Sequence, residues 1–339
     1  MKLIKTEDAV GHVLCHDLTQ IIKDQYKDAR FRKGHVVTQE DIPVLLSMGK
    51  EHLYVWEMTP GMLHENDAAE RLYALCVGDH MDRSEVKEGK IELKAACDGL
   101  FRVNSEKLMA VNSIEDIMIA TRKGGTAVRK GDKLAGMRVI PLIIPEEKLQ
   151  AAEQAAGDTP LLELKPWVRR TAAIVATGSE VKKGLIQDTF TPVVKDKLAF
   201  YGIETLSVSY SGDGVENVAN AIKEARATGA DVILCTGGMS VDPDDNTPGG
   251  IKESGAKIIT YGAPVLPGAM FLLGYYDDGT PVMGLPGCVM YAGATVFDLI
   301  LPRVAADVPV TRADIAALGE GGLCLGCKPC RYPLCPFGK

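Results

Sequence analysis

Residues 231–248 read DVILCTGGMSVDPDDNTP. The unbroken apolar run Val232-Ile233-Leu234-Cys235 lacks the alternation of a half-buried strand and marks one covered on both faces, as in a parallel sheet under helices. Thr236-Gly237-Gly238 ends the run. Glycines placed after such a strand let backbone N–H groups face an anion with no side chain between. Asp242, Asp244 and Asp245 nevertheless follow at once, and carboxylates repel anions.

The flanking sequence repeats the pattern. RTAAIVATG (170–178) is a second buried-strand run, TPVVKDKLAFYG reads as a helix stopped by Gly202, and IETLSVSYSG reads as a strand. GVENVANAIKEARATG is an amphipathic helix with Val215, Val218, Ala219, Ile222 and Ala225 on one face. Two more strands, MFLLGYY and TPVMGLPG, are expected after residue 269, then a helix MYAGATVFDLIL closed by Pro302. Strand alternating with helix predicts an α/β domain over residues 170–312, three layers with a mostly parallel sheet. Ligands of such sheets bind beyond the carboxyl ends of the strands. Three of those ends carry glycine: ATGSE, CTGGMS and GLPGC.

Thr177, Ser179, Thr236 and Ser240 add hydroxyl donors at this edge, and Glu180, Asp188, Asp213, Asp242, Asp244 and Asp245 add acids. Like charges packed this closely favour a shared cation. Mg²⁺ is bound by one or two carboxylates and bridges to phosphate oxygens, so it reconciles an anion cradle with an acidic cluster.

Residues 1–169 are expected to form an α+β or β-rich region of one or two subdomains. FRKGHVVTQEDIPVLLSMGKEHLYVWE reads as strand, Gly34 turn, strand, a helix begun near Thr38, and the strand HLYVWE. HENDAAERLYALC (64–76) reads as a helix capped by Asn66 or Asp67. LMAVN is taken as a strand, SIEDIMIAT as a helix, and PEEKLQAAEQAAGDTPLLELKP as a helix followed by a linker.

Composition narrows the function. The formal net charge of −7 argues against nucleic acid or an anionic membrane as the main partner. No apolar stretch approaches the ~18 residues of a membrane span, and MKLIKTEDAV has charges where a signal peptide needs apolar residues, so a cytoplasmic protein is expected.

Four of the nine cysteines fall in a tail, residues 313–339, as Cys324-x₂-Cys327-x₂-Cys330-x₄-Cys335-Pro336. Thiolates at these spacings suit an iron–sulfur cluster or Zn²⁺. Without a metal the segment is expected to be too short and too rich in Gly and Pro to order itself. Cys15, Cys76, Cys97 and Cys235 sit in apolar contexts and are assigned to the core.

ATGSEVKKGLIQDTFTP, DVILCTGGMSVDPDD and GLPGCVMYAGATVFDLILPR, in that order, resemble the molybdopterin-binding domain of the molybdopterin molybdotransferase (molybdenum insertase) family. The resemblance covers roughly residues 170–305 and implies a pterin dithiolene phosphate ligand. It implies insertion of molybdate as adenylylated molybdopterin loses AMP with Mg²⁺. It also implies a cradle of Thr177, Gly178, Ser179, Thr236, Gly237, Gly238, Ser240, Pro286 and Gly287. Glu180, Asp188 and Asp245 match the family's acidic positions. Asp245 is expected to be the main Mg²⁺ ligand, helped by Asp188 or Asp242, and these three aspartates are the catalytic candidates. Expected partners are molybdopterin or adenylyl-molybdopterin, a molybdoenzyme, and further copies of the chain in a homo-oligomer.

The chain also departs from the family pattern. Asp242 replaces a glycine, Pro267-Gly268-Ala269-Met270 lacks the lysine of P-G-K-P, Cys288 replaces the asparagine of L-P-G-N-P, and no S-x-M-D-G-Y-A segment is found. Two other readings therefore stand beside the insertase: a non-catalytic molybdopterin carrier or maturation partner, and a nucleotide pyrophosphate hydrolase.

Overall fold

In the computed structural model, residues 2–22, 26–55, 60–243 and 245–339 are described. Asp244 and the Trp56-Glu57 end of HLYVWE lie outside the described residues. The chain divides into two units. The first comprises Met1–Cys97, Arg102–Gly124 and Lys130–Leu164; the second comprises Asp98–Phe101, Gly125–Arg129 and Lys165–Lys339.

The buried runs of the second unit become strands β1 (Thr171–Thr177), β2 (Glu204–Ser211), β3 (Val232–Thr236), β4 (Lys257–Tyr261), β5 (Leu272–Tyr275) and β6 (Pro281–Leu285). They form one sheet in the order β2-β1-β3-β6-β5-β4. β1 pairs in parallel with β2 and β3, and β3 with β6, while β5 runs antiparallel to both of its neighbours.

Alternate residues of the central strands enter two separate cores. Ile174, Leu234 and Met283 pack with α1 (Phe190–Ala199) and α4 (Val296–Ala305). Ala173, Val175, Ile233, Cys235 and Val282 pack with α2 (Val215–Ala227) and α3 (Thr247–Glu253). Each large side chain so buried contributes about 1.5–3 kcal/mol of transfer free energy, and demand on both faces explains why the strands are apolar throughout. The result is the three-layer α/β domain.

Register sets the functional edge. Thr177 pairs with Ser211, Ala176 with Thr236, and Thr236 with Leu285, so Gly178, Gly212, Gly237 and Pro286 all leave the sheet on the same side.

Three details differ from the sequence expectation. β4 and α3 were not foreseen. α4 starts at Val296, where Thr295 and Asp298 form a capping box, and not at Met290, since Gly287–Met290 is a 3-10 turn. Pro302 lies inside α4 instead of closing it. A proline has no N–H for the carbonyl four residues back. Here that carbonyl, on Asp298, accepts from the Tyr332 hydroxyl at 3.0 Å.

The C-terminal segment is thus ordered by packing. Leu266 N–H donates to Gly322 O and Cys324 N–H to Leu266 O, both at 2.8 Å. Ile315, on α5 (Arg312–Ala317), and Phe337 are buried in the same core as α1 and α4.

The first unit is α+β. A four-stranded antiparallel sheet has the order Met81–Arg83, Ile91–Ala95, Lys133–Val139, Ile117–Thr121. The 38–41 turn is as expected, with Thr38 N–H and hydroxyl donating to Asp41 Oδ2 at the head of the helix Asp41–Ser47. LMAVN lies in the helix Ser105–Asn112, capped by Asn104, and SIEDIMIAT ends in the strand Ile117–Thr121. The helix Glu65–Cys76 is capped by His64, which accepts from Asn66 N–H at 3.1 Å, and not by Asn66 or Asp67. Residues Leu162–Pro166, expected as linker, form a strand.

Candidate ligand edge of the second unit

At the carboxyl edge β1 and β3 are tied together by buried threonines. Thr177 Oγ1 donates to Thr236 O at 3.0 Å and lies 2.9 Å from Thr247 Oγ1, which donates to Gly237 O at 2.9 Å. Gly237 (φ +83°) and Gly238 (φ +54°) turn directly above them. A Cβ on Gly237 would meet Thr177 O at 2.4 Å, and one on Gly238 would meet Thr247 Oγ1 at 2.7 Å. Thr177 and Thr247 thus support the turn from below, Thr177 through the Thr236 carbonyl as well, and the Gly237-Gly238 backbone forms its upper surface.

The neighbouring turns are tied to one another. Ser179 N–H donates to Asp213 Oδ1 at 3.3 Å, and Asp213 N–H returns to Ser179 Oγ at 3.4 Å. Gly178 (φ +131°) precedes the single helical turn Ser179–Lys182, on which Glu180 is exposed. Lys182 reaches over Gly212, its Nζ 3.9 Å from where a Cβ there would stand, and brings a cation to the edge. On the β6 side, Pro286 is buried and Gly287 exposed, with nothing within 4 Å of a Cβ built on Gly287.

Asp188 Oδ1 accepts from Phe190 N–H and Thr191 N–H, both at 3.0 Å, and so caps α1. Its Oδ2 is buried, and the carboxylate faces the Tyr210 phenol. Burial, and then the Asp188 charge, push the phenol of Tyr210 on β2 up from its ordinary value. Asp242 and Ser240 are exposed on the loop after β3, where Asp245 N–H donates to Asp242 O at 2.9 Å. That loop is hooked to β4 by the Tyr261 hydroxyl, which donates to Met239 O at 3.0 Å. Burial, and then the Asp245 charge, raise Tyr261 likewise.

Asp188 and Asp245 therefore approach the edge from opposite flanks of the sheet. Among the described residues no three His, Cys, Asp or Glu side chains come together to hold one metal ion. The carboxylates stand separately along the edge that carries the glycine turns.

Sequence reasoning missed Thr247, Lys182, Tyr210 and Tyr261 as edge residues. Asn246-Thr247-Pro248 was a readable helix start, but nothing local indicates that Thr247 meets Thr177.

Residues 173–306 match the family described as "Probable molybdopterin binding domain", of the molybdenum cofactor biosynthesis type. Residues 3–57 match a domain of unknown function, DUF8806. A CinA-like protein of Desulfosudis oleivorans is 37% identical over 86 residues, which is 25% of this chain and 21% of that protein. A CinA-like protein of Mycobacterium tuberculosis is 32% identical over 80 residues, 24% of this chain and 19% of that one. The chain thus spans about a fifth of the length of the curated relatives it matches. Among solved structures, the tungsten cofactor synthesizing protein MoaB of Pyrococcus furiosus is 22% identical, with 40% of this chain and 92% of that one covered at a TM-score of 0.34. CinA of Thermoplasma acidophilum is 17% identical over 40% of this chain and 98% of that one, also at 0.34. The segment that matches this molybdopterin-binding family model is the three-layer unit, from within β1 to the end of α4. Among the described residues no helix is long and apolar enough to cross a membrane.

Proposed function

We propose that the carboxyl edge of the second unit binds the phosphate of molybdopterin, or of its adenylylated form, and supports Mg²⁺-assisted insertion of molybdate with release of AMP. The observation that carries this reading is the Gly237-Gly238 turn, held open over the Thr177–Thr247 pair, inside the segment that matches the molybdopterin-binding family. Backbone groups of the turn and the Lys182 ammonium favour an anionic group there.

The donor set suits Mg²⁺. All the candidate ligands are carboxylate oxygens, the hard donors that Mg²⁺ prefers. Mg²⁺ completes its octahedron with water and phosphate oxygens, so separate carboxylates suffice. An ion held there would supply charge neutralisation at the phosphoanhydride. Asp245 would hold the ion, with Asp242 on the same loop contributing through water, while Asp188, on the opposite flank, would stand apart from it, and the glycine turn would retain the pterin phosphate.

A non-catalytic carrier is the second reading, favoured by Ala269 and Met270 where the family places a lysine. Protein isolated from a pterin-producing host is expected to release fluorescent oxidised pterin and to cleave adenylyl-molybdopterin with Mg²⁺ and molybdate. Asp245→Asn should bind pterin within about tenfold of the parent, roughly 1.4 kcal/mol, and lose most AMP release. Retained pterin with intact adenylyl-molybdopterin identifies a carrier. Cleavage of nucleotides unrelated to pterin identifies a pyrophosphate hydrolase, and absence of pterin overturns the binding assignment.

A further inference from the structure

The proposed reaction assigns no role to the cysteine-rich segment. Its four cysteines are free and all line one cavity of about 360 Å³, Cys324 and Cys335 from the side that packs on the core. The segment is positioned by the protein itself, through Cys324 N–H to Leu266 O, the Tyr332 hydroxyl to Asp298 O, and buried Phe337. Cys330 lies against the 291–294 loop, so closely that a Cβ on Gly293 would fall 2.8 Å from its Sγ.

The space between the cysteines bears on what they hold. A zinc ion needs its thiolates to meet at one point, each about 2.3 Å from the metal. Among the described residues no three such ligands converge that way. A four-iron cluster binds each thiolate to a separate iron, so its sulfurs stand around a space and not around a point. Charge agrees: Lys328 and Arg331 line the cavity and no acidic side chain does. Four thiolates around a zinc ion or around a four-iron cluster alike leave a net charge of about −2, which two cations offset, so the lining suits a thiolate-bound metal centre and the open space suits the larger one.

We propose that Cys324, Cys327, Cys330 and Cys335 hold one four-iron cluster in this cavity, each thiol giving up its proton on ligation. In the two-cluster arrangement that this spacing resembles, the Cys before Pro serves the other cluster. Here Cys335 faces the same cavity as the other three. The cavity wall at residues 291–294 continues the Gly287–Met290 turn, which places the cluster beside the β6 end of the ligand edge.

The test uses the full chain, purified anaerobically and reconstituted with ferric iron, sulfide and dithiothreitol. About four irons and four acid-labile sulfides per chain are expected, with visible absorption bleached by dithionite. Cys327 and Cys330 are exposed, so Cys327→Ser and Cys330→Ser leave the core intact. Each should lower bound iron to about a tenth of the parent, whereas Cys97→Ser in the first unit should not change it. Stoichiometric zinc that iron does not displace would overturn the proposal. So would equal iron in the parent and both tail variants.

Discussion

The turns after β3 and β6 look alike in sequence, each a glycine closing a buried strand, yet the two glycines are required by different things. Gly237 has positive φ and sits where a Cβ would strike the Thr177 carbonyl. The chain itself demands glycine there. Gly287 has open space on its Cβ side and lies at the start of a 3-10 turn. If glycine matters at 287, the reason is what approaches from outside. One turn is preorganised by the fold, and the other is left clear.

Substitutions can break that contrast. Gly237→Ala combines an unfavourable φ with a backbone clash and should destabilise the second unit by about 3 kcal/mol, read from urea unfolding. A loss under about 1 kcal/mol would mean that the turn relaxes freely and is not preorganised.

Thr177→Val keeps the shape of the side chain but removes the hydroxyl from the Thr236 carbonyl and from Thr247. The expected loss is about 1–3 kcal/mol. Unchanged stability would show that the threonine pair does not hold the turn.

Asp188→Ala should lower stability by about 1 kcal/mol through loss of the α1 cap, while Asp188→Asn, which keeps an acceptor, should change it by a few tenths. If the two variants fall equally, the charge matters and not the cap. Gly287→Ala is expected to stay within about 0.5 kcal/mol of the parent in stability. Its pterin retention, read by fluorescence of released oxidised pterin, should still fall. A fall in stability matching that of Gly237→Ala would erase the distinction between the two turns.

Much of the second unit was legible along the chain, for a definite reason. β1, β3 and β6 are buried on both faces, so their apolar runs need no knowledge of partners. β4 was missed because KIITY is partly exposed at the sheet edge and too short to display a period. The helix at Ser105–Asn112 was misread because its apolar residues mimic a strand, although Asn104 in front of it is a good N-cap. Along the chain Pro302 reads as a stop, because the Tyr332 hydroxyl that satisfies the Asp298 carbonyl lies 34 residues away.

By itself the sequence determined where strands end in glycine, where acids gather, and that four cysteines lie within one short segment. Those are local facts, set by backbone freedom and side-chain chemistry. Only the tertiary structure decided that Thr177 meets Thr247 across 70 residues, that Asp188 and Asp245 reach the edge from opposite flanks, and that four tail thiols face one cavity. Each of these depends on strand register and on the order of strands in the sheet, and long-range pairing leaves no mark on the residues it brings together.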